Sequence, residues 1–577
     1  MNNREYFFIE SNKRIFFLSA VIFIFGFLII ARLFYLQIIR HEYYTGLALY
    51  RQGADRVLEA KRGSIEDSNN LLLATNKNSY NLVAVPAEIK DVGTATQKIA
   101  DFLGIKDQDS KEFNELKLRL SKRKDYYEIL KRDIDYNLAK QIKELNLPGI
   151  GIEDGFKRHY AEGGEIFSQI IGFVGIDNDK RLGMYGVEEF FDKQLAGENG
   201  LLRSEYAPGN VSILDSAKTI KEAKNGSNLI LTIDRSLQYV VCKDLLEGIR
   251  SSRAEGGTAI IMNPKNGAVL ALCNYPAFDA NQYNKTKNYH NFLNAAVSDA
   301  FEPGSIFKVI TMAAALDAGK AKPDTTYEDT GEVKIGAYTI RNSDKKAYGV
   351  KTMTNVLEKS LNTGAVFVAK LLGHSIFRSY VKNFSFGALT AIEQPNENTG
   401  DINNLEKNSD IYLATVSFGQ GISVTPIQLA TAISAIANEG KLYKPYLLAK
   451  IISPEGKEEI TQPRFIRQVI APETAKTIGA MMVSVLENGY GKLARVPGYY
   501  VAGKTGTAQV PNKTGGYSEE TIHSFVGFAP VENPAFVGVV KIINPKIGNF
   551  AEATAAPIFG KFAKFVLNYY QIPPNRF

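Results

Sequence analysis

Cysteine and histidine are scarce in this chain. Cys242 and Cys273 are the only cysteines among 577 residues, and the five histidines are scattered. Metal centres are built from thiolate, imidazole and carboxylate ligands at short, regular spacings. No such grouping occurs, which argues against a metalloenzyme. Each cysteine taken alone reads as a small buried apolar residue, and the sequence leaves open whether the two are joined. Long runs of one charge are missing as well. The net charge of +7 is spread over the whole length. Without a basic stripe, nucleic-acid binding has no support. Long apolar runs are also missing, with one exception.

That exception is Ile15 to Ala31, where Ser19 is the only polar residue. Arg32 interrupts the run and Leu33-Phe34-Tyr35-Leu36 resumes it. The stretch is long enough to span a bilayer, and Arg32 near its end can snorkel to the interface. A secretory signal would have a shorter apolar region followed by a small-residue cleavage site. Here Gln37-Ile38-Ile39-Arg40-His41 follows instead, so an uncleaved anchor is expected. Arg4, Lys13 and Arg14 precede it, which predicts a cytoplasmic amino terminus, with the rest of the chain outside the inner membrane.

The length suggests more than one domain, and 45% hydrophobic with 22% charged residues is ordinary for globular protein. The expected division is a head at 1–14, an anchor at 15–37, an extracytoplasmic region at 38–225 and a second domain at 226–577. Asn225-Gly226 is a strong turn dipeptide at the last boundary. Within 38–225, Asp101 to Asn146 reads as solvated helices, with Ile129, Leu130, Leu138 and Ile142 among their apolar positions. Ile170 to Val174 reads as a strand. No nucleophile–base set is visible there, so a structural or partner-binding module is expected. Beyond the boundary, Leu229 to Ile233 reads as a strand and Leu237 to Ile249 as an amphipathic helix. Gly257–Met262 and Ala268–Leu272 flank the turn Pro264-Lys265-Asn266-Gly267, which is a β-hairpin signal.

The stretch with the most chemistry is Phe301-Glu302-Pro303-Gly304-Ser305-Ile306-Phe307-Lys308. A turn at Pro303-Gly304 precedes an apolar helix from Ile306 to Ala318. Ser305 and Lys308 then project from one face, about a turn apart. A serine hydroxyl needs a base within hydrogen-bond reach, and a lysine serves only if burial or a neighbouring cation keeps it partly neutral. The same spacing recurs at Ser121–Lys124, Ser343–Lys346 and Ser379–Lys382. Those three lack both the turn and the apolar helix and read as solvated surface.

Two further elements follow. Ser360-Leu361-Asn362 lies in a loop between helical stretches, Thr354–Leu357 and Ala365–Leu372. Its hydroxyl can relay a proton, and the Asn362 amide offers a donor and an acceptor to a peptide backbone; as a lone pattern it reads first as a helix cap. Ser68-Asn69-Asn70 matches by chance. Lys504-Thr505-Gly506-Thr507 sits in a strand-like run, Tyr499 to Val510. Gly503 and Gly506 remove side chains where a substrate backbone must come close, and the lysine and threonines suit a carboxylate. Lys513-Thr514-Gly515 is a decoy in a polar loop.

Serine–lysine, Ser-x-Asn and Lys-Thr-Gly in that order form the triple of the β-lactamase and penicillin-binding families. Over essentially its full length the chain resembles a class B penicillin-binding protein. The segments that carry this are Arg62 to Asp67, Gly183 to Glu188, Leu195 to Gly200, Phe418 to Gln428, Val501 to Gln509 and His523 to Pro530. The later ones look most like the division-type (FtsI-like) members. The resemblance implies an α/β (α+β) protein with a single transmembrane helix. It also implies an elongated pedestal of the dimerisation type, and a catalytic domain whose antiparallel sheet is flanked by helices. The implied activity is peptidoglycan D,D-transpeptidation, with no cofactor and no metal, on stem peptides ending in D-Ala-D-Ala. β-Lactams are implied to react covalently.

The same resemblance implies roles for the residues. Ser305 would be the nucleophile, Lys308 its base, Ser360 a proton relay and Asn362 a backbone holder. Lys504 and Thr505 would engage the terminal carboxylate, with Thr507 beside them and Gly506 as a further substrate-binding residue. The backbone N–H groups of Ser305 and Thr507 would form the oxyanion hole. A SEDS-family glycosyltransferase and other division proteins are the implied membrane partners. The chain departs from the pattern at Ser68-Asn69-Asn70, where many relatives carry Arg-Asn-Gly, and at Ala161, where proline usually follows the tyrosine. Rival readings are an elongation-type transpeptidase, a D,D-carboxypeptidase or β-lactamase on the same fold, and a non-catalytic scaffold or sensor. A sensor would need a cytoplasmic signalling region, for which the short head leaves no room.

Overall fold

The computed structural model describes residues 3–40, 54–122, 127–177, 180–204, 206–207, 211–212, 218–512, 516–574 and 576. Lys124 and the Lys513-Thr514-Gly515 decoy lie outside the described residues. Helix α1, Asn3–Phe34, runs on through a π-helical turn at Tyr35–Ile39. Its segment Phe16–Ile38 is long and apolar enough to cross a membrane, and none of it is buried against protein. The described chain gathers into two compact units, neither continuous in sequence, and Met1–Ala60 is grouped with the first.

The first unit takes in Asn78–Phe156 and Glu198–Lys224. Its helices start where side chains satisfy the orphan N–H groups of the first turn. Asp91 caps Val92–Leu103, Ser110 caps Lys111–Leu120 and Asp135 caps Tyr136–Glu144. Their apolar faces close over Leu82, Ala84, Ile99, Leu116 and Leu130. One expectation fails here. Ile129 and Leu130 lie in a strand, Glu128–Ile134, which pairs antiparallel with Tyr80–Ala84. Cross-strand pairing overrides the helical periodicity of the surrounding leucines.

The second unit takes in Lys61–Lys77, Lys157–Gly197 and Asn225–Phe577. Ile170 and Ile171 were expected in a strand but close a short helix, Ser168–Ile171; the strand begins after Gly172, at Phe173–Asp177. Gly172 adopts φ +79°, and a Cβ there would lie 2.0 Å from the Tyr185 carbonyl oxygen, so only glycine permits the break. Nearby, Glu188 is fully buried between two guanidinium groups. Arg62 Nε reaches it at 2.6 Å and Arg158 Nε at 2.7 Å. Burial pushes its pKa up, and Arg158 and Arg62 more than offset this, holding the carboxyl below its ordinary range.

The heart of this unit is a five-stranded antiparallel sheet. Helix α2 (Arg235–Ser252) leads into β1 (Gly256–Met262) and β2 (Val269–Tyr275), the expected hairpin. Its turn closes with the Asn263 N–H donating to Ala268 O at 2.8 Å. Cys242 on α2 and Cys273 on β2 form a disulfide, with Cα atoms 5.4 Å apart. Strands β3 (Ala502–Pro511), β4 (Tyr517–Ala529) and β5 (Phe536–Ile543) complete the order β2-β1-β5-β4-β3. All seven residues of β1 are buried, as expected of a central strand covered on both faces. Helices α2 and α7 (Ala555–Tyr569) pack against the sheet, as does α5 (Pro426–Ala437), which lies on β1 and β5. Between β2 and α5 come α3 (Phe307–Asp317), buried from Phe307 to Ala315, and α4 (Asn362–Asn383). Helix α6 (Pro472–Asn488) packs on α3 and β3.

Candidate active site

The serine–lysine turn is held by its neighbours. Phe301 exchanges both backbone hydrogen bonds with Val424, each at 2.9 Å, and the Gly304 N–H donates to Gly419 O at 3.1 Å. Gly304 adopts φ +55° and Gly419 φ +77°. A Cβ on Gly419 would sit 2.2 Å from Gly304 O, so the two loops pass at a distance only glycine allows. Ser305 then falls in a 3₁₀ turn, Gly304–Ile306, that feeds α3. The expected helix after the turn is there, and Lys308 lies in its first turn.

Lys308 is buried at 1% exposure. Its Nζ lies 3.1 Å from Ser305 Oγ and 3.2 Å from Ser360 Oγ. It donates to Ser360 O at 2.6 Å and to Asn362 Oδ1 at 2.8 Å. Burial pushes its pKa well below the usual lysine value, and the nearby Lys504 charge pushes it further down. The carbonyl and the amide oxygen can only accept. A neutral amine has two N–H donors, and these two oxygens take both. Its lone pair is then left for a hydroxyl proton, with Ser305 and Ser360 as the hydroxyls in reach.

Ser360 sits in the connection between Met353–Glu358 and α4, as expected, and adopts φ +55°. A non-glycine residue in this region costs about 1–2 kcal/mol, so the surroundings impose the conformation. Its Oγ accepts from Lys504 Nζ at 3.1 Å. Asn362 opens α4, and its Nδ2 donates to Arg341 O at 2.8 Å.

Lys504 is fully buried. Burial lowers its pKa to about 7. Thr505 is nearly buried, and its hydroxyl donates to Tyr490 O at 3.4 Å. Thr507 Oγ1 accepts the Ala551 N–H at 3.2 Å. Gly506 is where β3 passes the serine–lysine turn. A Cβ there would meet Ser524 Oγ at 2.6 Å and Pro303 O at 2.8 Å. On the other side of the contact, a Cβ on Gly304 would lie 3.1 Å from Thr507 O. Ser305, Ser360, Asn362, Thr505 and Thr507 line one cleft of about 570 Å³. All eight expected residues are thus gathered at one place. Of the spacing decoys, Ser379 and Lys382 are exposed on α4, away from the cleft, whereas Ser343 is exposed in a turn at the rim of the cleft itself.

Three supporting residues have no signal of their own in the sequence. Asn342 is buried beside the cleft, and Asp329 lies behind it. Glu302 is buried next to the nucleophile turn, where its carboxylate accepts from Gly421 N at 2.9 Å and from the Tyr517 hydroxyl at 3.2 Å. Asn342 sits in a run, Asn342 to Lys346, that reads as an ordinary polar turn.

Comparisons with known proteins agree with this geometry. Residues 257–564 match the penicillin-binding protein transpeptidase domain, and residues 57–231 match the penicillin-binding protein dimerisation domain. The chain is 35% identical over 557 residues to stage V sporulation protein D of Bacillus subtilis, covering 95% of this chain and 85% of that one. It is 31% identical to the peptidoglycan D,D-transpeptidase FtsI of Escherichia coli K12, covering 95% and 90%. Penicillin-binding protein 3 of Mycobacterium tuberculosis, solved with aztreonam, superposes with a TM-score of 0.69 at 26% identity over 90% of this chain and 98% of that one. The chain therefore belongs to the class B penicillin-binding proteins, the serine-type peptidoglycan D,D-transpeptidases.

Proposed function

We propose that this protein cross-links stem peptides through an acyl-enzyme on Ser305, in septal wall synthesis during cell division. The observation that carries the reading is the neutral-leaning Lys308 amine, 3.1 Å from Ser305 Oγ and already bonded to two pure acceptors. Lys308 takes the serine proton as Oγ attacks the penultimate D-alanine carbonyl. The N–H groups of Ser305 and Thr507 hold the tetrahedral oxyanion. Collapse breaks the amide C–N bond. The proton returns through Ser360 Oγ to the leaving amine, and terminal D-alanine departs. Lys504, with Thr505, Gly506 and Thr507, holds the terminal carboxylate, while Asn362 holds the peptide backbone. A bound carboxylate favours the charged form of Lys504. An acceptor amine then attacks the ester and frees Ser305. A β-lactam enters the same path, and its ring amide opens onto Ser305.

The division into head (1–14), anchor (15–37), pedestal (38–225) and catalytic domain (226–577) belongs to the same proposal. So do the cytoplasmic amino terminus, the extracytoplasmic catalytic domain and a SEDS-family glycosyltransferase with other division proteins as membrane partners. The name of the Bacillus relative favours a second setting, wall synthesis in sporulation. The test of the chemistry is incubation with a donor peptide ending in D-Ala-D-Ala and an acceptor amine. A new amide with release of one D-alanine is expected. Hydrolysed donor alone would make the enzyme a carboxypeptidase.

A further inference from the structure

We propose that Asp329 and Asn342 are positioning residues that hold the Ser360–Asn362 turn against Lys308. Helix α4 begins without a cap from its own N-cap residue, Leu361. The cap comes from 20 residues upstream. Asn342 Oδ1 accepts from Asn362 N at 3.0 Å and from Thr363 N at 3.3 Å. The Asn342 amide is in turn oriented by a carboxylate. Its Nδ2 donates to Asp329 Oδ2 at 2.9 Å and Oδ1 at 3.0 Å, and to Lys346 O at 3.0 Å. Asp329 is 1% exposed, and its oxygens also accept from Thr363 Oγ1 at 2.7 Å and from the N–H groups of Gly331 and Tyr348, each at 3.1 Å.

Every donor and acceptor in this chain is matched, so the direction of the amide is fixed by its partners. A buried carboxylate facing only neutral donors gives geometry more than net stability. Here it dictates that Asn342 turns its oxygen to the helix start. That places Asn362 Oδ1 on Lys308 and holds Ser360 in its left-handed conformation. Titratable groups around the pair are few. The Tyr327 hydroxyl lies 3.2 Å from Thr363 Oγ1, and Tyr348 bonds to Asp344. Arg341 pairs with Glu332 at 2.9 Å. Lys346 offers its carbonyl while its side chain is exposed, and Lys308 and Lys504 lie beyond the turn.

The inference rests on the acyl-enzyme reading, and one variant separates the two. Asn342→Asp keeps shape and acceptor but sets a second carboxyl against Asp329. Two carboxylates in contact share a proton at neutral pH or lose their geometry. Penicillin acylation of N342D is therefore expected to fall about 10- to 100-fold at pH 8, from misplacement of the turn. Its rate relative to the wild type at the same pH is expected to recover toward acid pH, as the shared proton restores the hydrogen bond. The swap D329N/N342D puts the amide and carboxylate back in opposition and is expected to regain part of the rate at pH 8. An N342D profile that parallels the wild type, or a double variant no faster than N342D, overturns the proposal. Loss of fold in N342D with recovery of fold but not rate in the double variant also overturns it. Absence of a wild-type adduct on Ser305 would sink the acyl-enzyme reading instead.

Discussion

Lys308 and Lys504 are buried together; burial keeps both from holding a charge easily, and the Lys504 charge lowers Lys308 further. The consequence is a pH dependence of fixed sign. In the proposed mechanism Lys308 must be neutral to take the serine proton, so acylation by penicillin is expected to slow as pH falls through the depressed Lys308 pKa. Lys308→Arg keeps a cation at every pH and is expected to lose at least about a hundredfold in rate. Recovery of K308R at high pH would count against a neutral base. Stability follows the same groups. Lys504 titrates near 7 when folded and near the model-peptide value of 10.5 when unfolded. Between these values the unfolded chain binds more protons, so stability rises with pH across that window. Thermal midpoints measured from pH 7 to 10 are expected to climb, and Lys504→Met is expected to flatten the slope. At this scale the candidate site was legible where chemistry is local. Ser305 and Lys308 are three residues apart, on the 3₁₀ turn and the first turn of α3 that it feeds, and the Lys504 run lies on one strand. Asp329 and Asn342 were not legible, because their partners lie some 20 to 34 residues away and polar turns are common in any sequence.

Two elements must approach closely for this site to exist: the turn that carries Ser305 and strand β3. Gly506 sets their separation. Gly506→Ala would drive a Cβ against Ser524 Oγ and Pro303 O. It is expected to displace β3 and cut penicillin acylation about a hundredfold, with a smaller effect on the melting temperature; an unchanged acylation rate would show that the approach is not needed. Elements with a strong local signal came out as expected: the β1–β2 hairpin, α2, α3 and the two helices around Ser360. The failures share a cause. Ile129-Leu130 and Ile170-Ile171 are short apolar runs whose state is decided by a distant strand or by a single glycine, and periodicity cannot see either.

In the whole molecule, pieces of the second unit that are far apart in sequence meet on Glu188. It joins Arg62 and Arg158 without exposure to water. Glu188→Gln leaves the buried Arg158 guanidinium facing a neutral amide, while Arg62 keeps the carboxylate of Asp192, at 2.7 Å. A loss of about 3–5 kcal/mol is expected in chemical denaturation, with the wild-type stabilisation fading as pH falls through the depressed Glu188 pKa. A variant as stable as the parent would show that this cluster holds nothing together. The apolar helix at the other end of the chain is expected to keep the protein in a carbonate-washed membrane fraction, and deletion of residues 1–37 is expected to release it. All of this serves one claim, that a single serine is made reactive by a lysine that burial keeps uncharged. Intact and peptide mass spectrometry after exposure to benzylpenicillin tests it most directly. One antibiotic mass is expected on the peptide containing Ser305, and none in Ser305→Ala. An adduct that persists in the Ser305→Ala protein, or a wild type that stays unmodified, would contradict the account.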